Sequence, residues 1–118
     1  MPRISMVLYR YADRLAAGCF LAIGYLSLTP LQAFPEIPGD DKLQHLIAYA
    51  VLAFFATLSR QTSKTVAAVL LAVIAYGGLI ELIQPYVNRY GEFDDFLAGA
   101  VGAFLGGLLA LGATRLRA

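Results

Sequence analysis

The sequence predicts an all-α integral membrane protein, a four-helix bundle with both termini in the cytoplasm. The 118 residues are 59% hydrophobic, with a mean hydropathy of +0.68. Only 14% are charged, compared with about a quarter in a typical soluble domain. Four apolar segments approach the roughly 20 residues that a helix needs to cross a bilayer. Basic residues are concentrated in alternate connections between these segments, as expected for a chain that crosses a membrane four times.

We expect one domain, residues 1–118, because a chain of this length normally forms a single folding unit. Strands are disfavoured, because alanine and leucine dominate and no alternation of period two persists. Three prolines, Pro30, Pro35 and Pro38, make the first connection non-helical. Pro85 cannot donate a backbone hydrogen bond, so we expect the third helix to kink or end there. The expected spans are residues 15–29 (with a start as early as Val7), 43–58, 66–87 and 96–114.

The basic residues predict the orientation of these spans. With four crossings, the amino-terminal segment, the second connection and the tail share one side, which carries seven of the nine basic residues. Only Lys42 and Arg89 lie on the other side. Positive residues are retained in the cytoplasm, so the first and third connections should face outward. The basic start followed by an apolar stretch also fits a secretory signal, but the cleavage pattern is poor, and a retained anchor is favoured.

Polar residues from three spans meet at the expected outer side. Residues three or four apart share one face of a helix, so each span presents a stripe of such residues. Glu81 lies within its span, where a carboxylate needs a partner or a proton. We therefore predict an outer-leaflet pocket that binds an anion. Its expected residues are Asp41, Lys42, His45 and Tyr49 from the second span, Glu81, Gln84 and Arg89 from the third, and Asp95 from the fourth.

Structural roles remain open for each of these residues. The aspartates that begin the second and fourth spans are also typical helix caps. Lys42 and Arg89 are placed to bind lipid phosphates at the interface, and either also fits a structural ion pair with Glu81. His45 fits an interfacial hydrogen-bonding role. Gly99, Gly102 and Gly106 are expected to pack helices closely, within the chain or against another copy.

The sequence predicts no metal and no cofactor. One histidine with carboxylates could hold magnesium or calcium, but the spacing matches no dedicated loop. No nucleotide-binding loop or defensible catalytic triad is present, and the single Cys19 cannot form an internal disulfide. Nothing in the charge suggests nucleic acid as a partner.

Three segments in order resemble the VanZ-like family of small bacterial membrane proteins. "DKLQHLIAYAVLA" is similar to its D-K-x-x-H-x-x-x-Y segment, and "ELIQPYVNR" to an E-x-x-Q segment followed by arginine. "DFLAGAVGAFLG" is similar to D-x-x-x-N-x-x-G, except that Gly99 stands where the family usually has asparagine. The match covers roughly residues 41–106. The departure at Gly99 removes a polar side chain from the stripe that begins at Asp95.

The resemblance implies a multi-pass protein of the bacterial cytoplasmic membrane with a role in the cell envelope. The founding type is associated with low-level resistance to teicoplanin, so a link to glycopeptide tolerance belongs to this expectation. The favoured function is binding or handling of an anionic, lipid-linked envelope component, with membrane lipid as the partner. One alternative is an assembly subunit that packs through its glycine face against another membrane protein or a second copy. The other is a membrane enzyme that uses His45 or Glu81 as acid or base, although a non-enzymatic role is favoured.

Overall fold

The computed structural model describes residues 2–29, 41–58, 62–87 and 93–117, with side chains for 6–29, 42–58, 62–87 and 93–113. These ranges contain four α-helices and no strand, which confirms the all-α prediction. The helices are α1, Pro2–Leu28; α2, Asp41–Leu58; α3, Ser63–Ile83; and α4, Phe93–Arg117. A short 3₁₀ helix, Gln84–Val87, continues α3.

The helices alternate in direction. α1 and α3 run parallel. Gly24 of α1 contacts Tyr76 of α3, and Ser27, further along α1, contacts Gln84 of the 3₁₀ helix that continues α3. The starts of α2 and α4 and the end of α3 therefore lie at one end of the bundle, which we call the polar end. The start of α1 and the ends of α2 and α4 lie at the opposite end, which we call the terminal end. A small apolar cluster joins them there, made of Ala12, Leu58 and Ala110.

The most extensive interface joins α2 and α4, and it depends on two glycines. Gly102 packs against the backbone of Leu46, and Gly106 against that of Ala50. A Cβ at either glycine would overlap the facing carbonyl oxygen and stand 3.0 Å from the facing Cα. Small residues at this spacing let two backbones approach closely. The matched ascending order of these contacts shows that α2 and α4 are parallel.

The ends of α3 follow from local chemistry. Thr62 caps its start, since the Thr62 hydroxyl accepts a hydrogen bond from the Thr65 amide at 3.2 Å. At the other end, Pro85 has no amide hydrogen to donate. The α-helix ends at Ile83, and the chain continues as a 3₁₀ helix. The expectation that the third helix would kink or end at this proline is confirmed.

Two of the four helices are long and apolar enough to cross a membrane. In the described residues these stretches are Ser63–Val87, which joins α3 to the 3₁₀ helix, and Phe93–Ala113 of α4, of 25 and 21 residues. The apolar part of α2, Lys42–Leu58, is shorter. α1 covers Pro2–Leu28, so helical structure starts well before the expected span of residues 15–29. α4 likewise extends beyond the expected 96–114 at both ends.

Candidate functional site

Three polar side chains from three helices meet near the polar end. They are His45 of α2, Glu81 of α3 and Asp95 of α4, and we call them the polar cluster. His45 Nε2 and Glu81 Oε1 are 3.2 Å apart, and these side chains are 15% and 9% exposed. Asp95 is 5% exposed. One ligand atom from each residue lies within 4.8 Å of those of the other two. Residues far apart in sequence thus form one nearly buried group.

The helix directions explain this meeting. His45 lies in the second turn of α2 and Asp95 in the first turn of α4. Because these helices are parallel and in close contact, their first turns are neighbours. Glu81 lies in the last turn of α3, which runs in the opposite direction and therefore ends where the other two begin. The prediction placed these three residues at one side of the bundle, and the structure brings them together.

A layer of three residues closes the polar cluster on its inner side. Tyr49, Gly77 and Gly99 each lie one helical turn inward from a member of the cluster. The Tyr49 ring is 2% exposed and fits between the two glycines. A Cβ at Gly99 would stand 3.0 Å from Tyr49 Cδ2, and one at Gly77 would stand 3.3 Å from Cε1. Gly99, where the resembled family has asparagine, therefore provides space for an aromatic ring.

Tyr49 also connects the cluster to other aromatic rings. Its ring stacks on His45 with centroids 6.1 Å apart and meets Tyr76 edge-on at 6.4 Å. Tyr76 in turn stacks on Phe20 of α1 at 4.2 Å and donates a hydrogen bond to the Phe20 carbonyl. The sequence analysis did not identify Tyr76 or Gly77, because neither differs from ordinary packing residues of an apolar helix.

Gln84 joins the site to α1. Its side chain is 1% exposed, and its Nε2 donates a hydrogen bond to the Ser27 carbonyl at 3.0 Å. The Gln84 Oε1 and the Tyr49 hydroxyl have no hydrogen-bond partner within the described part of the chain. The acceptor on α1 is a backbone carbonyl, which no side-chain pattern could have revealed.

The predicted basic residues are only partly described. Lys42 lies one turn outward from His45 on α2, and its side chain is exposed. Asp41 is the first residue of α2, and its side chain lies outside the described part of the structure. Arg89 also lies outside the described residues. The structure pairs Glu81 with His45, a residue that the sequence analysis had placed in the pocket but not as a partner of Glu81.

A separate apolar cavity of about 270 Å³ lies between α1, α2 and α3. Its wall is almost entirely apolar, and Tyr76 lies on it. The Tyr76 ring therefore belongs both to this wall and to the aromatic contacts of Tyr49. The lining residues are Ala16, Ala17, Phe20, Leu52, Ala56, Val69, Ala72, Val73 and Tyr76.

The polar cluster can bind a cation or exchange a proton. An imidazole nitrogen 3.2 Å from a carboxylate oxygen is within ordinary reach for proton transfer. The same two atoms with the Asp95 carboxylate form a set of nitrogen and oxygen donors. No family model matches the chain, and no curated protein or solved structure shows a significant match to it.

Proposed function

We propose that the protein is a four-span protein of the bacterial cytoplasmic membrane that binds an anionic, lipid-linked envelope component at the outer face. The observation that carries the proposal is the meeting of His45, Glu81 and Asp95 at one end of an apolar bundle, next to the exposed Lys42. The resemblance of these segments to the VanZ-like family supports an envelope role. On that resemblance, a contribution to glycopeptide tolerance belongs to the proposal.

The exposed apolar surface supports a membrane location. Only 22% and 33% of the most apolar windows of α3 and α4 are buried inside the protein. Leu71, Leu79 and Leu82 of α3 are 67%, 55% and 72% exposed. A soluble monomer rarely exposes contiguous apolar patches larger than a few hundred Å². Hydrocarbon around the bundle would remove this surface from water.

The distribution of basic residues supports the orientation. Arg10, Arg14 and Lys64 lie on helical segments at the terminal end, and Lys42 lies at the polar end. Basic residues are retained on the cytoplasmic side. The terminal end would then face the cytoplasm, and the polar cluster would lie in the outer leaflet.

Lys42 is the residue that we expect to contact the anion. A lysine ammonium is a compact positive charge that suits phosphate. Lys42 shares the face of α2 that carries His45, so an anion held by Lys42 would lie outward of the cluster. Arg89 is the second expected contact. The carboxylates of Glu81 and Asp95 would orient these cations.

The apolar cavity supports a ligand with a lipid tail. Its wall includes Tyr76, whose ring contacts Tyr49 directly inward of the polar cluster. A ligand with its charged group near Lys42 could place an acyl or prenyl chain against this wall. An assembly role through the glycine face gains no such support, because Gly102 and Gly106 pack against α2 of the same chain.

Native mass spectrometry of the full chain in mild detergent tests the proposal. The probes are phosphatidylglycerol and a polyprenyl phosphate, with phosphatidylcholine as the neutral lipid. We expect the unmodified protein to retain the anionic probes selectively. Lys42→Ala should lower this retention about tenfold or more, the value of one charge-assisted hydrogen bond.

Lys64→Ala is the matched control. Lys64 is exposed and is the second residue of α3, as Lys42 is of α2, but it lies at the terminal end. The control should keep the retention of the unmodified protein. Equal losses in the two variants, or no preference for anionic over neutral lipid, would contradict the proposal.

A further inference from the structure

We propose that His45, Glu81 and Asp95 form a binding site for one divalent metal ion, either Zn²⁺ or Mn²⁺. The inference goes beyond the proposed function, because it requires neither a lipid nor Lys42. It rests on the donor atoms of the polar cluster, their separations, their burial and two buried polar atoms on residues one helical turn away.

The separations fit a small ion. Zn²⁺ binds nitrogen and oxygen ligands at about 2.0–2.2 Å, so two ligands of a tetrahedral ion lie roughly 3.3–3.5 Å apart. His45 Nε2 and Glu81 Oε1 lie 3.2 Å apart. The third donor, a carboxylate oxygen of Asp95, lies within 4.8 Å of both. A small rotation of the Asp95 side chain would bring three protein ligands to one ion.

The donor types select the class of ion. Imidazole suits zinc and other first-row metals, whereas carboxylates also suit manganese. Magnesium and calcium favour shells of six or more oxygen ligands. Three protein ligands with one imidazole are typical of zinc sites that keep a position open for water. The cluster therefore fits Zn²⁺ or Mn²⁺ better than Mg²⁺ or Ca²⁺.

The charge balance also favours a divalent cation. Glu81 and Asp95 place two carboxylates in a nearly buried site, 9% and 5% exposed. A divalent ion bound between them would bring two positive charges into the site, and so would favour two ionised carboxylates at close range.

Two buried polar atoms provide an independent observation. The Tyr49 hydroxyl and the Gln84 Oε1 have no hydrogen-bond partner in the described structure, although these residues are 2% and 1% exposed. Tyr49 lies one turn inward from His45, and Gln84 one turn outward from Glu81. Buried polar groups normally have partners. Water molecules that complete the shell of a bound ion would supply them, as outer-shell groups do in known metal sites.

Metal titration of the full chain, purified in mild detergent with a tag that contains no histidine, tests the inference. After treatment with a chelator, Zn²⁺ or Mn²⁺ alone is added, and bound metal is counted by elemental mass spectrometry. Thermal unfolding is followed in parallel. We expect one equivalent of bound metal and a higher melting temperature, because an ion that binds only the folded state stabilises it.

Variants locate the site. His45→Gln, Glu81→Gln and Asp95→Asn should each weaken binding by more than the roughly 10–100-fold expected for loss of an outer-shell partner. Asp94→Asn is the matched control, because Asp94 lies in the same first turn of α4 but is exposed. Cys19→Ala excludes the thiol as a ligand. Both controls should bind as the unmodified protein does.

Two results would overturn the inference. The first is an unmodified, folded protein that takes up no stoichiometric Zn²⁺ or Mn²⁺. The second is equal affinity of the Asp95→Asn and Asp94→Asn variants. Lys42→Ala separates this inference from the proposed function, because it should weaken selective retention of anionic lipid and leave metal binding intact.

Discussion

The ring of Tyr49 lies between two positions that have no side chain. Gly77 and Gly99 accept opposite edges of this ring, and His45 stacks on its outer side. Tyr49 therefore forms the inner boundary of the polar cluster along the helix axes and separates the cluster from the apolar core. A residue of this size needs matched space on two neighbouring helices, so the glycines and the tyrosine act as one unit.

Replacing Gly99 with alanine should destabilise the protein by about 1–3 kcal/mol, the usual cost of adding a methyl group to a packed core. The new Cβ would stand 3.0 Å from Tyr49 Cδ2. Gly112→Ala in the same helix is the control, because nothing lies within 4 Å of that position. Thermal unfolding in detergent measures both, and equal stability of the two variants would contradict the packing argument.

The contact between His45 and Glu81 predicts energetic coupling. In chelator-treated protein, the double variant His45→Gln with Glu81→Gln should differ from the sum of the single variants by about 0.5–3 kcal/mol. The reason is that each single change leaves the other polar group without its partner 3.2 Å away. A double-mutant cycle of unfolding free energies measures this coupling. Additive effects would show that the two side chains do not interact.

At this scale the sequence predicted which residues meet but not that His45 pairs with Glu81. Helical spacing placed His45, Glu81 and Asp95 at one side, since depth along a helix can be counted from the chain. An ion pair of Glu81 with Lys42 or Arg89 stays a prediction, because Arg89 lies outside the described residues; the structure adds His45, 3.2 Å from Glu81. Pairing depends on the rotation of each helix about its own axis, which spacing within one helix does not determine.

At the scale of the helices, the close contact of α2 with α4 holds the site together. The backbones of Leu46 and Ala50 occupy the space where Gly102 and Gly106 lack side chains. This contact also sets the register between the two helices, and with it the positions of His45 and Asp95.

Gly102→Leu or Gly106→Leu should prevent this packing, because the facing atoms are backbone and cannot move aside as a side chain could. We expect a much lower yield of monodisperse protein after detergent extraction, measured by size-exclusion chromatography. Leu108→Ala and Leu109→Ala are the controls, since these side chains are 64% and 66% exposed. If the leucine variants elute like the parent, α2 and α4 do not pack closely at these two glycines.

Helix boundaries show what local sequence can and cannot determine. The end of α3 was predictable, because Pro85 removes a backbone donor. The early start of α1 at Pro2 was not, because its first three turns carry Arg3 and Arg10 and lack a continuous apolar run. Counting apolar residues along the sequence identifies the segment that could lie within a membrane. A helix, in contrast, continues for as long as its backbone hydrogen bonds are satisfied.

For the whole molecule, the alternating helix directions predict which connections share a side. Single cysteines at Gln32 or Asn88, in a variant with Cys19→Ala, should react with an impermeant thiol reagent in intact cells or in cells with only the outer membrane opened. Cysteines at Lys64 or Arg117 should react only after the cytoplasmic membrane is opened. The expectation follows from the concentration of basic residues at the terminal end. The reverse pattern would place the polar cluster on the cytoplasmic side and end the proposal of an outer-face site.

The parallel arrangement of α2 and α4 has an electrostatic consequence for the polar end. Each helix carries a macrodipole equivalent to roughly +0.5 elementary charge at its amino terminus and −0.5 at its carboxy terminus. Two amino termini and the carboxy terminus of α3 converge on the polar cluster, so the backbone contributes a net positive potential of about half a charge. Asp95, in the first turn of α4, lies where this potential acts most directly. The backbone thus places a positive potential beside the buried carboxylate of Asp95.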